Sequence, residues 1–592
     1  MASKPSTFHT VLRATLDFRF YSEPSKEAMA VARLELMGTA EREELSSRLV
    51  RAGLGPSLDR ALRLAFTAAD RASEPGAGAD VKALAADLAL VPPRVNTILQ
   101  SGLQMMLQPL PRSAAAGDSP QPPAESDSAG SKQPGGEGFG VLVTAVKRAR
   151  VLGVLLEGLT ADAAQVLQVP GTLAALLEPA SSVLMCVGWG VNRLRDQLRE
   201  RQEGAASPAG PGSGGGGSGG SSGRGRTGVE AAPVAEDLTA GRELLAVALR
   251  SACVLATQLA RAAGICVASC LAVRTAAPGN GSASTGPRSL PASAVREVLY
   301  SLNYAVRELA TSCIPEVCGL LSLEQLLACQ PHRLLAAAPA ALMCPLMEAS
   351  ADPSRLAQLR TDQEAIVKLA SGISGAVVAL ATMEEVSGSV RAWLQVLEEG
   401  LGDEGPAKEA EDGEAQERGL LWRPLRAAAS SALALGDARS AGVIMALLRV
   451  ADGGAVDSDF RAAAAGLRAT FLDADRAGLG QPVLPDGTNA ERLIEQEARR
   501  LSSGLQGDFF AAELFVAALP PEVCVPPAAL AVRRLRICGN PRCTNFGAAS
   551  EAALNPRPCA GCKAVRYCNR DCQREAWPEH RSACAELKAA GS

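Results

Sequence analysis

The sequence predicts a mainly α-helical protein, and three observations support this fold class. Hydrophobic residues make up 47% of the chain but aromatic residues only 3%, so any core consists mostly of Ala, Leu and Val. Small side chains of this kind suit closely packed helices better than a β-sandwich, which uses β-branched and aromatic residues. Apolar residues also recur at steps of three and four, while no strand-like alternation and no glycine-rich βαβ fingerprint recurs.

The clearest helical patterns are spread over most of the chain. They cover residues 27–54, 141–159, 241–263, 294–313, 353–373 and 441–452. Short helices separated by Gly and Pro are compatible with an armadillo- or HEAT-like solenoid, which needs no aromatic core. No repeat of fixed length aligns, however, so an irregular helical bundle stays open as the alternative.

Four segments of low apolar content divide the helical sequence. Residues 109–138 are rich in Pro, Ser and Gly, 203–233 contain a nearly pure Gly/Ser run, 276–291 are shorter, and 402–419 are acidic. Such compositions bury too little apolar surface to offset chain entropy, so we expect disordered linkers. The remaining sequence then comprises helical regions at 1–108, 139–202, 234–275, 292–401 and 420–537, and a distinct C-terminal segment at 538–584.

Charge and hydropathy indicate where the protein resides. The formal net charge of −4 gives no global electrostatic case for binding nucleic acid or an anionic membrane. The N-terminus lacks the uninterrupted apolar core of a signal peptide. Residues 251–273 have the length of a membrane span, but Arg261 lies at their centre, and a charge at mid-bilayer costs at least ~2.5 kcal/mol. We therefore expect an intracellular protein, cytoplasmic or nuclear, without a signal peptide or transmembrane segment.

The cysteines are concentrated near the C-terminus. Seven of the 16 cysteines lie between Cys538 and Cys584, and His580 lies among them. They form four close pairs, namely Cys538/Cys543, Cys559/Cys562, Cys568/Cys572 and His580/Cys584. Zinc prefers four thiolate or imidazole ligands in a tetrahedron, so eight ligands predict two Zn²⁺ ions. The cysteines scattered over the helical sequence have no nearby histidine and are predicted to be buried thiols.

The last two pairs have helical spacing. Cys568 and Cys572 are four residues apart, as are His580 and Cys584, so each pair occupies one face of a helical turn. Pro578 lies between the pairs and is predicted to end the first helix and open the second, because proline breaks helix interiors and favours the first helical position.

The run YC-x3-CQ-x3-W-x2-H-x3-C, preceded by CAGC and two further cysteines, resembles the MYND zinc finger over residues 538–584. The resemblance implies two interleaved ligand sets, which are Cys538, Cys543, Cys568 and Cys572 for one zinc, and Cys559, Cys562, His580 and Cys584 for the other. The first pair departs from the family pattern, since it has four intervening residues where two are usual.

The resemblance also implies a peptide-binding surface. In MYND fingers the residues matching Gln573 and Trp577 form a shallow groove for short proline-containing peptides. An indole offers a flat platform for a proline ring, and an amide can bond the peptide backbone. The alternative, that Trp577 is the small core of the finger, stays open. The chain contains a proline motif of its own, VPPAAL at 525–530, which is a candidate occupant of the same groove.

We expect no enzymatic activity. All eight ligands are used structurally, so neither zinc keeps the open position that a catalytic zinc needs. Only eight residues follow Cys584, too few for the SET domain of the methyltransferases that carry this finger, and His9 and His332 stand in no triad-like arrangement.

The basic residues of the C-terminal segment give only a small positive charge. Residues 533–588 hold an excess of six basic residues, which falls to about three once the thiolates and two Zn²⁺ are counted. We predict a protein–protein interaction adaptor that binds proline-containing peptides of other proteins, and expect neither membrane nor nucleic-acid binding. The alternative is a transcriptional or chromatin regulator with additional nucleic-acid contact.

Overall fold

The computed structural model of the chain describes part of its 592 residues. The described residues are 54–72, 74, 76–88, 91–92, 95, 140–160, 170–206, 231–275, 292–313, 320–351, 356–384, 387–388, 390, 457–476, 538–540, 543, 545, 556–563 and 565–589. The predicted helix at 27–54 lies outside them except for Leu54, the first residue of a described helix. The predicted helix at 441–452 and the predicted linkers 109–138, 276–291 and 402–419 also lie outside them. Of the predicted linker 203–233, residues 207–230 lie outside, and its two ends are helical.

The described residues are mainly helical, which confirms the predicted fold class. The helices are α1 (Leu54–Ala72), α2 (Ala79–Leu88), α3 (Gly140–Thr160), α4 (Pro170–Ala206), α5 (Ala231–Thr275), α6 (Ala292–Ser312), α7 (Leu323–Leu327), α8 (Pro331–Ala351), α9 (Leu356–Ala381), α10 (Asp457–Arg476) and α11 (Arg570–Ala589). Two short strands, β1 (Arg557–Pro558) and β2 (Arg566–Tyr567), pair antiparallel before α11.

Helix α6 illustrates how the sequence periodicity specifies a helix and its buried face. Its buried apolar residues are Ala294, Val295, Val298, Leu299, Leu302, Ala305, Val306 and Leu309. They are separated by steps of one, three, one, three, three, one and three residues, which places them on one side of a helix with 3.6 residues per turn. Helix α5 differs, because nearly all its side chains between residues 244 and 270 are buried. It is therefore surrounded by protein, as expected for a helix that is apolar all round.

The chain divides into two compact units, residues 1–148 with 536–582, and residues 149–535 with 583–592. In the first unit α1 packs against α2. The Thr144 hydroxyl of α3 donates a hydrogen bond to the Asp59 carboxylate of α1, and Arg148 forms an ion pair with Asp70. The Arg148 guanidinium also lies over the Phe66 ring, 5.2 Å from its centroid. Polar contacts and a cation–π contact thus join α1 to the start of α3.

The long helices of the second unit pack in a regular order. Helix α4 packs against α5 and α6, α5 against α6 and α8, α6 against α8 and α9, and α8 against α9. Leaving aside the short α7, the helices α4, α5 and α6 therefore each contact the next two helices along the chain. Stacked helical arrays have neighbour contacts of this kind. The helices range from 21 to 45 residues, however, so no fixed repeat emerges and the solenoid stays a prediction.

Two contacts between the long helices of this unit have specific side-chain requirements, one steric and one electrostatic. A Cβ atom added at Gly241 of α5 would lie 2.5 Å from Cδ2 of Leu198 in α4, so glycine leaves room here for the Leu198 side chain. Arg195 of α4 forms a buried ion pair with Glu308 of α6, and also bonds the Asn192 side chain. Burial, which Arg195 only partly offsets, raises the pKa of Glu308.

Three helical segments of the described residues are long and apolar enough to cross a membrane by length and composition: Thr172–Gln202, Gly241–Cys270 and Glu364–Ala381. Between 61% and 89% of their most apolar windows are buried inside the protein. Arg261 of the second segment is buried, and its guanidinium bonds the Gln258 side chain and the Thr160 carbonyl. The expectation of a chain without transmembrane segments therefore stays a prediction.

Candidate metal centre

The structure gathers the eight predicted ligands into two clusters. One comprises Cys538, Cys543, Cys568 and Cys572, and the other comprises Cys559, Cys562, His580 and Cys584. Within each cluster the ligand atoms all lie within 4.8 Å of one another. These are the two interleaved sets that the sequence predicts. The longer first pair is therefore compatible with the site, because Cys543 reaches the same cluster as Cys538.

The interatomic distances fit zinc. A regular tetrahedron with Zn–S bonds of about 2.3 Å places its sulfurs about 3.8 Å apart. In the first cluster the Cys543 and Cys568 sulfurs are 3.6 Å apart, and the Cys568 and Cys572 sulfurs 3.3 Å. In the second cluster Cys562 Sγ lies 3.5 Å from His580 Nε2. With four Cys in one cluster and three Cys with one His in the other, both ligand sets match structural zinc sites.

The turn that carries Cys538 and Cys543 is held by its backbone and by one side chain. The Gly539 amide donates to the Arg566 carbonyl at 2.7 Å, and the buried Asn540 amide donates to the Glu575 carboxylate at 2.8 Å. A Cβ added at Gly539 would lie 2.2 Å from Cγ1 of Val565. Gly539 is therefore required for close approach to β2. Sequence reasoning missed this glycine, since only the tertiary contact makes it necessary.

The turn that carries Cys559 and Cys562 closes on itself. The Lys563 amide donates to the Cys559 carbonyl at 2.9 Å, and the Cys559 amide donates to the Val565 carbonyl at 2.7 Å. Lys563 adopts a positive φ of 55°, a left-handed conformation that costs a non-glycine residue roughly 1–2 kcal/mol. The turn forms despite this cost, and it brings the Cys559 and Cys562 sulfurs into the same cluster.

Helix α11 carries Cys572, His580 and Cys584, and Cys568 lies two residues before its first turn. The helix begins with a cap that sequence reasoning also missed. The Asn569 side chain accepts a hydrogen bond from the Cys572 amide at 2.8 Å. Asparagine is among the preferred residues at this position, because its oxygen satisfies an amide that has no partner within the helix. The cap thereby orients the first turn, in which Cys572 is a ligand.

The prediction that Pro578 ends a helix is wrong, because α11 runs from Arg570 to Ala589 through Pro578. Proline inside a helix costs about 3 kcal/mol, through one lost hydrogen bond and a clash. Structural zinc contributes about 10–16 kcal/mol of folding free energy in small fingers. Cys572 precedes the proline and His580 follows it, each in a different cluster. The two metal sites thus hold both halves of the helix in place.

The finger has a small core, and Trp577 is not its centre. Tyr567, Val565 and Ala576 are buried together with the ligands, whereas Trp577 is 41% exposed. Both aromatic rings meet the His580 imidazole edge-on, with ring centroids 6.0 Å apart in each pair. Tyr567 therefore provides the aromatic core of the finger, a role that the sequence left open for Trp577. Trp577 instead covers His580 from the solvent side.

Gln573 lies one turn before Trp577 and is half-buried. Its side-chain amide lies 3.9 Å from the Cys559 sulfur, as a hydrogen-bond donor to that ligand. A Gln side-chain amide has two N–H donors and a carbonyl oxygen with two lone pairs, so this contact uses one of its four hydrogen-bonding positions. Gln573 thus has a structural contact to the second cluster, which the sequence did not indicate.

The pKa values of the ligands link metal binding to proton release. Hydrogen bonds from Cys538 and Cys572 hold the pKa of Cys543 well below its usual range, and the Lys147 ammonium in the same unit acts in the same direction. The hydrogen bond to Cys543 raises the pKa of Cys538, and burial raises the pKa of Cys568 to about 12. Without a cation the Cys538 and Cys568 thiols, whose pKa values are raised, retain their protons, so zinc binding at these residues displaces protons. Burial lowers the pKa of His580, which favours the neutral imidazole that binds zinc.

Comparison with known families agrees with this geometry. Residues 538–584 match the family model of the MYND finger. With the two clusters, this identifies the C-terminal segment as a MYND-type finger with two zinc sites. The match covers under a tenth of the chain. Comparisons of the chain with curated proteins and with solved structures give no match.

Proposed function

We propose that this chain, which carries a MYND finger at residues 538–584, is a zinc-binding adaptor. Its finger binds short proline-containing peptides of partner proteins, and its helical regions serve as a scaffold without enzymatic activity. The proposed peptide-binding residues are Gln573 and Trp577. MYND fingers act as protein-interaction modules, and this supports the choice of proteins as partners.

The single observation that carries the proposal is the exposure of Trp577. A large aromatic side chain that is 41% exposed costs free energy in water unless a partner covers it. The finger already has a buried aromatic residue in Tyr567, so its core does not depend on Trp577. An exposed indole next to a half-buried amide offers the platform and the hydrogen-bonding group that a proline-containing peptide uses.

The coordination sets support a non-enzymatic role. Each cluster supplies four protein ligands, which completes a tetrahedron and leaves no position for a reacting water. The same four-ligand arrangement supplies folding free energy to a segment with few apolar side chains. The metal thus supports the surface on which Gln573 and Trp577 lie.

Burial of the apolar helices supports an intracellular protein without a transmembrane segment. The segment Gly241–Cys270 is the most apolar part of α5, and 89% of its apolar window is buried in protein. Burial lowers the pKa of the Arg261 guanidinium, which nonetheless has the Gln258 and Thr160 oxygens as partners. Packing against neighbouring helices accounts for the hydrophobicity of α5 without a lipid environment.

A peptide titration tests the proposal. Fluorescent peptides with one or two central prolines, including the chain's own VPPAAL, are titrated with the full chain and with Trp577→Ala. We expect the variant to lose roughly thirtyfold in affinity, the loss of a hot-spot residue worth about 2 kcal/mol. Equal affinity of both proteins for every proline peptide would contradict the proposal.

The matched control removes an exposed apolar side chain elsewhere. Leu155 of α3 is 45% exposed, so Leu155→Ala deletes comparable exposed apolar surface outside the finger and should leave peptide affinity unchanged. Zinc content must stay at two ions per chain in all three proteins. A loss of metal in Trp577→Ala calls for Trp577→Phe instead, which keeps the edge-on contact with His580.

A further inference from the structure

We propose that the peptide surface at Trp577 prefers proline motifs flanked by acidic residues, because an arginine strip runs beside it. The arginine strip is defined as Arg570, Arg574 and Arg581 of α11, whose side chains are all exposed. This inference rests on the proposed function and adds the chemical class of the partner peptide.

Helical periodicity places the strip next to the indole. Successive residues of an α-helix are rotated by about 100°, so Arg570, Arg574 and Arg581 lie within about 60° of Trp577 around the axis of α11. They lie on the side of Trp577 that turns away from the buried residues Ala576 and His580. A peptide on the indole therefore has Gln573 along one edge and guanidinium groups along the other.

The acidic side chains described on α11 do not cancel this charge. Asp571 forms an ion pair with Arg574 at 3.3 Å, but both side chains are about 80% exposed, and such pairs contribute little in water. Glu575 lies about 160° from Trp577 around the helix, where it accepts the hydrogen bond of Asn540. The zinc–ligand clusters have net negative charge, but Cys572 lies about 140° from Trp577 around the helix, and the nearer ligands His580 and Cys584 are buried beneath the exposed surface.

The spacing of the arginines predicts where the acidic residues of the peptide lie. Arg574 and Arg581 are seven residues apart, which corresponds to about 10.5 Å along the helix axis, with Trp577 between them. A polyproline peptide advances about 3.1 Å per residue, so roughly three residues span that distance. With a proline on the indole, acidic residues one or two positions to either side come within reach of the two guanidinium groups.

A peptide fits this surface better than a nucleic acid does. Arginine also binds phosphate, but single-stranded nucleic acids are held by several aromatic residues on which successive bases stack. Trp577 is the one aromatic residue among the exposed large hydrophobic side chains of the described chain. Proteins also supply proline and carboxylate in one extended segment, which suits an indole bordered by arginines.

The test uses the full zinc-loaded chain and three labelled peptides that share a central proline. The peptides carry Glu, Gln or Lys at two positions on each side of it. At ~50 mM salt we expect the Glu peptide to bind about threefold to tenfold more tightly than the Gln peptide, the gain from two exposed charge pairs. Salt screens exposed charges, so this ratio should fall towards one at ~0.5 M salt.

Two double variants test whether the preference for the Glu peptide depends on the arginine strip. The change Arg574→Gln with Arg581→Gln should lower the Glu-to-Gln ratio to about one and leave the affinity for the Gln peptide unchanged. The matched control, Arg557→Gln with Lys588→Gln, also removes two exposed positive charges. Lys588 lies about 16 Å along the helix axis from Trp577, and Arg557 lies on β1, so this control should keep the ratio.

The outcomes separate this inference from the proposed function. Equal binding of Glu and Gln peptides, with both dependent on Trp577, would overturn the acidic preference and leave the adaptor function standing. Binding of none of the peptides would overturn both. Displacement of the Gln peptide by a single-stranded oligonucleotide that depends on Arg574 and Arg581, without any preference for Glu, would assign the arginine strip to nucleic acid.

Discussion

The finger and the second helical unit bury different chemistry within one chain. The second unit buries mostly Leu, Ala and Val side chains from five long helices, with a minority of polar groups such as Arg195 and Glu308 among them. The finger buries or half-buries eight zinc-competent side chains, seven cysteines and one histidine, with a few apolar residues around Tyr567. A segment of this size cannot bury enough apolar surface to fold alone. Metal coordination therefore does in the finger what helix packing does in the helical unit.

Removal of zinc should have the largest effect, and only on the finger. A chelator withdraws roughly 10–16 kcal/mol of metal-binding free energy from the sites, so we expect the backbone amides of residues 557–589 to lose hydrogen-exchange protection. The amides of α5 between residues 244 and 270 should keep theirs, because apolar packing rather than metal holds them. Hydrogen exchange measured by mass spectrometry on the same sample reports both segments.

Addition of zinc to the chelated protein provides the control, since protection at 557–589 should return. Simultaneous loss of protection in α5 would contradict the contrast between the two regions. It would mean that the helical unit depends on the metal sites for its stability.

A variant that removes a buried charge should instead destabilise the helical unit and leave the finger intact. Glu308→Ala leaves the buried Arg195 guanidinium without its carboxylate partner, and loss of one member of a buried pair costs about 3–5 kcal/mol. Thermal denaturation followed by circular dichroism should show a lower Tm for the helices, while zinc content stays at two ions per chain. The double variant Arg195→Met with Glu308→Leu should restore most of the stability, because it removes both charges together.

A smaller effect is expected at Gly539. In Gly539→Ala the new Cβ would lie 2.2 Å from Cγ1 of Val565, and overpacking of this kind costs about 1–3 kcal/mol. Competition with a chromophoric chelator should show weaker zinc retention by the variant. Adding Val565→Ala removes the clashing methyl group and should recover part of the loss. Failure of this second change to improve retention would show that the steric contact is not the cause.

The smallest expected effect is a gain in stability of the finger when the backbone strain at Lys563 is relieved. Lys563 has a φ of 55°, and glycine adopts that conformation without a steric cost. We expect Lys563→Gly to strengthen zinc retention by up to about 1 kcal/mol, since the relief of strain at this position is partly offset by the greater chain entropy of glycine in the unfolded state. Lys563→Ala removes the same charge but keeps the strain, and should show no gain.

Sequence reasoning succeeded where residue type and spacing specify the structure. The eight ligands, their division into two sets and the mainly helical class followed from the four close pairs, from the MYND resemblance and from the three- and four-residue steps of apolar side chains. It failed at Pro578, because the intrinsic cost of proline in a helix is smaller than the contribution of the zinc sites on either side. It missed Gly539 and the Asn569 cap, since the need for each depends on a neighbour that the sequence does not identify.

By itself, the sequence determined that this chain is mainly helical and that residues 538–584 bind two zinc ions, because local periodicity and ligand spacing are properties of the residues and their order. The tertiary structure alone decided that Tyr567 rather than Trp577 fills the core of the finger, that Arg195 and Glu308 meet in the helical interior, and that α4, α5 and α6 each contact the next two long helices. These outcomes depend on which surfaces come together, and that is set by the free energy of packing the folded chain rather than by any single segment of it.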